Sequence, residues 1–303
     1  MLFTHPQNNM SYLWNMVRLH NESMEVSVNP LGAEMQKLKN LITGVDHLWS
    51  GDPAYWGKFS PVLFPVVGTL KNDHYTHNGT VYTMSRHGFA REKLFLSKQI
   101  SETEAIFTLE DDESTRVVYP FRFVLRLRYL LEGSRLTVTY TVCNTGEGPM
   151  YFSIGAHPAF AIPWVAGLAY EDHQLVFSEA ETAGRWGLKD GLLLDEERPL
   201  LRDRKVLSLS GALFAEDAIV LKGLRSKVLT LRSDRDPHGL HFGIEGWPHL
   251  GIWAAPGAPF VCIEPWQGHA DPVSHDGEFS SKPGIVELQP GEDWERSWWV
   301  SLF

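Results

Sequence analysis

Cysteine is nearly absent from the chain, with two residues, Cys143 and Cys262, in 303. That excludes a disulfide scaffold, and two thiols each following an apolar stretch are expected to be buried and reduced. Basic residues are outnumbered, 27 Lys and Arg against 37 Asp and Glu, for a net charge of -10. Such a balance gives no general attraction to phosphate backbones or anionic membrane surfaces, so neither nucleic acid nor membrane is an expected partner. No apolar run reaches the roughly 18 residues a membrane helix requires, and the first residues lack a basic flank before an apolar segment. The expectation is a soluble, cytoplasmic protein. Helical periodicity is also scarce, and no fixed-period repeat, low-complexity tract or charge block marks a boundary.

What is present is punctuation and alternation. The 26 Gly and 18 Pro are dispersed from Pro6 to Gly291, which suits many short elements joined by turns. In FRFVLRLRYL, Phe121, Phe123, Leu125, Leu127 and Tyr129 alternate with Arg122, Val124, Arg126 and Arg128, the period of a half-buried strand. After Leu131-Glu132-Gly133-Ser134 the alternation resumes with Leu136, Val138, Tyr140 and Val142, predicting a hairpin. Similar runs occur at Met24 to Val28, Ala105 to Leu109, Leu175 to Phe177, Lys227 to Leu231, Gly251 to Ala254 and Phe260 to Ile263. Asp52-Pro53 suits the start of one short turn. The fold expected is all-β, a single domain over residues 21–303 built from mostly antiparallel sheets, preceded by a loose polar extension over residues 1–20.

The 13 histidines give no convincing metal signature: His74 with His77 and His238 with His241 lie in turn-forming surroundings that would not converge four ligands. Nucleotide-binding glycine loops and a nucleophile-elbow serine are missing too. Three runs place an ionisable group beside residues that restrict the backbone. In Ser85-Arg86-His87-Gly88-Phe89-Ala90-Arg91, Gly88 removes a side chain beside the imidazole and two arginines flank it, leaving room for a ligand. In Tyr151-Phe152-Ser153-Ile154-Gly155-Ala156-His157-Pro158, the proline biases His157 toward extended geometry. In Phe260-Val261-Cys262-Ile263-Glu264-Pro265-Trp266, a carboxylate ends an apolar strand, where desolvation raises its pKa, and an indole follows that can stack on a sugar or close the core.

Taken in order with Leu63 to Gly68 (LFPVVG), these runs resemble the aldose 1-epimerase family, or galactose mutarotases, and more closely its shorter bacterial branch. The resemblance extends from about Glu25 to Val300 and implies a large single-domain β-supersandwich of twisted, mostly antiparallel sheets. It implies His157 as general acid, Glu264 as general base, His87 as a sugar contact and Asp217 as a holder of sugar hydroxyls, with no metal or organic cofactor and a monomer or homodimer. Where studied members carry an Asn-Arg pair, this chain reads Val67-Gly68-Thr69-Leu70-Lys71-Asn72. The expectation is that Lys71 or Arg91 takes over the sugar contact of the missing arginine, or that the chain prefers another substrate. The function implied is anomer interconversion of an aldose. Two alternatives are a non-catalytic carbohydrate-binding or sensing protein and a hexose-phosphate 1-epimerase using Arg86, Arg91 and Lys71 for the phosphate.

Overall fold

Alternating side chains need a neighbour on each edge of the strand and a core beneath one face, and the computed structural model, which describes residues 15–303, supplies both. Phe123–Glu132 and Arg135–Asn144 pair antiparallel from Arg135 opposite Glu132 to Asn144 opposite Phe123. All the apolar positions of the alternation from Phe121 to Val142 are buried, and Gly133, at φ +57°, turns the chain between the strands. A long antiparallel path continues from this hairpin. On one side lie Glu104–Glu110 and Leu96–Gln99; on the other, Asp293–Leu302, Asp236–Gly243, Val228–Ser233, His173–Lys189, Ile219–Lys222, His249–Trp253, Phe260–Gln267, Ile154–Ala156 and Val62–Leu63. Each of the six shorter sequence runs falls on a strand, with Lys227 and Ala254 just outside the observed ends.

The all-β, sheet-dominated architecture expected from the sequence is therefore what the chain adopts. Val17–His20, Met24–Asn29 and Glu34–Asn40 form a separate three-stranded sheet. This corrects one boundary. Val17 and Leu19 are buried on a strand, so the polar extension expected to reach residue 20 stops short of it, and residues 1–14 lie outside the described residues. One short helix, Glu113–Val118, was not expected; Asp112 caps it by accepting from the Thr115 N–H at 2.7 Å. The turn at Asp52 forms as expected, its carbonyl accepting from the Trp56 N–H at 2.9 Å. Both cysteines are buried and unpaired.

The core anchors the run Leu63 to Gly68. Phe64 is fully buried, its ring 5.1 Å from Phe123, 5.8 Å from Phe152 and 5.9 Å from Tyr119 between centroids. Each such pair adds about 0.5–1.5 kcal/mol beyond the area it buries. The end of the run, Gly68, is thereby fixed where a pocket begins.

Candidate active site

Glu264 lies in Phe260–Gln267, a strand with neighbours on both edges and almost no exposed residue. One neighbour is interrupted. Gly155 pairs with Trp266 and, after Pro158, Ala159 pairs with Cys262 in the same register, which sets His157 across from Glu264. His157 Nε2 and Glu264 Oε2 stand 3.3 Å apart, without the alignment of a hydrogen bond, and Oε2 has no other partner. Burial pushes the Glu264 carboxyl well above its usual range, opposed by the Arg86 charge, and pushes the His157 imidazole down to about 3. Desolvation thus favours the uncharged form of each.

These two groups open onto a pocket of about 290 Å³, at the small end of ligand cavities. Trp56, Trp253 and Trp266 supply aromatic surface in its wall. Trp266 is held flat because Gly155 and Gly251, on the strands to either side, leave its ring room; a Cβ at either would collide with the indole. His87, at φ +70°, contributes from the loop after Thr80–Thr83. Its N–H donates to the Gly68 carbonyl at 2.9 Å, and its Nδ1 accepts from the Gly68 N–H at 3.1 Å. That contact leaves the hydrogen on Nε2. The approach of Arg86 Nε to Nε2 at 3.2 Å requires the other tautomer, and a neutral ring supports one of the two. Burial holds His87 well below its usual pKa, with the His157 and Arg86 charges adding to it.

Of the residues singled out from the sequence, His87, Arg91, His157, Asp217, Glu264 and Trp266 all line this pocket. Asp217 takes a positive φ of +72°, its carbonyl accepting from Arg185 Nη2 at 3.2 Å. Arg91 donates through Nη2 to the Arg86 carbonyl at 2.8 Å, and its buried Nε has no hydrogen-bond partner, lying 3.8 Å from Glu92 Oε1. Arg86 Nη1 lies 3.9 Å from Asp217 Oδ2. Lys71 is not brought to the pocket. Its ammonium donates to the carbonyls of Val273 and His275 at 2.9 and 3.0 Å, tying down a loop instead of facing a ligand. Gly88 also serves a different end from the one expected: a Cβ there would strike the Phe64 carbonyl, so the space is taken by the chain itself.

Sequence reasoning missed Trp56 and Trp253. Trp56 stacks on His157, with centroids 4.8 Å apart and planes at 26°, and Trp253 meets the same ring edge-on at 5.8 Å. The only sequence signal for Trp56 was its place after the Asp52-Pro53 turn. Behind the wall, Lys282 Nζ and Asp271 Oδ1 form a 2.6 Å ion pair that is almost wholly buried. Asp271 also accepts from the Lys71 N–H at 2.9 Å, and its carbonyl accepts from the Leu193 N–H at 2.9 Å.

The aldose 1-epimerase family model matches residues 15–296. The chain belongs to the aldose 1-epimerase family. Membership gives it a general aldose epimerase function and places it among the carbohydrate isomerases. It is 32% identical over 296 residues to the chromosomal protein LacX of Lactococcus lactis subsp. lactis, covering 94% of this chain and 99% of that one. Its fold matches a galactose mutarotase related enzyme from Lactobacillus acidophilus with a TM-score of 0.92 at 34% identity, over 95% and 97% of the two chains. A galactose mutarotase-like protein from Lactobacillus casei ATCC 334 gives a TM-score of 0.90 at 28% identity, over 95% and 100%. Among the described residues no helix is long and apolar enough to cross a membrane.

Proposed function

We propose that the pocket interconverts the α and β anomers of a monosaccharide by opening and reclosing its ring, with His157 and Glu264 passing protons. The observation that carries this reading is the facing of imidazole and carboxyl 3.3 Å apart at a pocket of about 290 Å³. The hydroxyl on the anomeric carbon and the ring oxygen share one carbon. A donor and an acceptor this close together can therefore reach both oxygens from one side.

For ring opening the couple must carry one proton, on the imidazole. Glu264 then takes the proton of the anomeric hydroxyl while His157 gives its proton to the ring oxygen, the bond from anomeric carbon to ring oxygen breaks, and an aldehyde forms. Rotation about one carbon–carbon bond presents the other face, and reclosure reverses both transfers. The couple holds one proton before and after, so no proton exchange with water is required. The hydroxyls of the bound sugar, together with Arg86 near the carboxyl, replace the water that Glu264 lacks and favour its ionised form. His87, Arg91 and Asp217 offer hydrogen bonds to hydroxyls, and Trp266 an apolar face.

The test is anomer exchange by polarimetry or saturation-transfer NMR, with galactose first because the similar structures are described as galactose mutarotase-like. His157→Ala and Glu264→Gln are each expected to lower kcat by about 10² to 10⁴. Full activity in either variant would overturn the assignment, and binding without faster exchange would favour a sensor. A second substrate class follows from the two guanidinium groups, Arg86 and Arg91, that line the pocket with Asp217. Rates on glucose and glucose 6-phosphate distinguish a neutral from a phosphorylated sugar.

A further inference from the structure

Proton transfer leaves Cys262 without a task. It precedes Glu264 by two residues on the strand Phe260–Gln267, so both side chains emerge on the same face. Its thiol is fully buried, and Glu264 is 1% exposed. A sulfur, a ring nitrogen of His157 and a carboxyl oxygen of Glu264 lie within 4.8 Å of one another, the one such group of three metal-ligating side chains among the described residues.

The spacing suits a tetrahedral cation. Zinc bonds of about 2.0–2.2 Å to nitrogen and oxygen place those two ligands roughly 3.4 Å apart, and Nε2 and Oε2 are separated by 3.3 Å. A Zn–S bond near 2.3 Å sets the sulfur about 3.6 Å from each of the others, a closure of at most about 1.2 Å. The chemistry suits it as well. One thiolate and one carboxylate neutralise a divalent ion, so the complex carries no net charge into a desolvated site. Three protein ligands leave a fourth position for water. His157 and Glu264 line the pocket, which provides the entry path.

We propose that His157, Cys262 and Glu264 form a site for a thiophilic divalent cation, Zn²⁺ foremost, whose binding ties up the catalytic couple and excludes the sugar. The metal replaces the thiol proton and the carboxyl proton, both of which pass to solvent, and nothing is oxidised or reduced. The exclusion of sugar rests on the proton-transfer reading above; the binding itself does not.

The test uses the full chain, reduced and metal-free, titrated with Co²⁺ alone and then with Zn²⁺. One equivalent of Co²⁺ is expected to bind with a thiolate-to-cobalt charge-transfer absorption that Zn²⁺ abolishes. Cys262→Ala should lose the absorption, Glu264→Gln should bind at least about tenfold more weakly, and Cys143→Ser should bind like the parent. Circular dichroism and melting establish that each variant is folded. In the activity arm, Zn²⁺ should inhibit anomer exchange by the parent and spare Cys262→Ala, which keeps its basal rate. No cobalt absorption in the parent, or an unchanged one in Cys262→Ala, would overturn the site. Should the chain show no anomer exchange, the cobalt arm still decides the metal site, and the proton-transfer reading alone fails.

Discussion

The Trp56 indole lies stacked on the His157 imidazole, at 4.8 Å between centroids and 26° between planes. Trp56 is fixed in turn by the Trp49 indole N–H, which donates to its carbonyl at 2.8 Å. The stack sets the plane of the ring that, in the proposed reaction, presents Nε2 to the sugar. Trp56→Ala is therefore expected to lower kcat roughly tenfold, the equivalent of about 1.4 kcal/mol, with a smaller rise in KM. Steady-state polarimetry on galactose reads this split. A rise in KM alone would mean that the indole only touches substrate.

Glu264 is a carboxyl whose burial raises its pKa well above the usual range. Above the unfolded pKa the unfolded chain ionises this group more readily than the folded one, so the group costs stability there. Glu264→Gln keeps the shape and removes that cost. Its melting temperature at pH 7 is expected to rise by roughly 2 °C, for about 1 kcal/mol, while activity is lost. A variant that melts lower than the parent would show that the carboxylate is stabilised in place.

Acid should act in the opposite direction through the histidines. Burial lowers His47 to about 4, His157 and His269 to about 3, and His87 well below its usual value. Between roughly pH 6.5 and 4 the unfolded state takes up protons that the folded state refuses, so stability falls with pH at about 1.4 kcal/mol per unit for each such group. Glu264, raised by burial, contributes with the opposite sign. Urea unfolding at pH 7, 6, 5 and 4 should show a midpoint that drops steadily, and a flat profile would mean these imidazoles are solvated.

The buried pair of Lys282 and Asp271 holds the wall beside Ala270 and Gly191, both of which line the pocket. Lys282→Met strands the Asp271 charge and should cost about 3–5 kcal/mol. Adding Asp271→Asn removes that charge and should restore part of the loss, read by urea unfolding of the single and double variants. A double variant no more stable than the single one would show that the lysine acts through its packing alone.

Not every strand was equally legible in the sequence. The hairpin of Phe123–Glu132 and Arg135–Asn144 could be read because every second side chain faces the core along its whole length. His173–Lys189 announced itself only at Leu175 to Phe177, because beyond that stretch the regular alternation of burial breaks down. Met150–Phe152 and Ala159–Ala161 are too short to display any period. The helix Glu113–Val118 rests on a local cap, with one buried residue, and so has no apolar stripe to betray it.

By itself the sequence determined that the chain would be sheet-built, and it marked His87, His157 and Glu264 through the restrictive neighbours around them. Only the tertiary structure decided that the imidazole and the carboxyl face each other, that two further indoles surround His157, and that Lys71 braces a loop. The reason lies in the range of the forces involved. Alternation and turn residues act over a few positions, whereas the pairing register that opposes His157 to Glu264, and the desolvation that favours the uncharged form of each, depend on hydrogen bonds and cover from segments far apart in the chain.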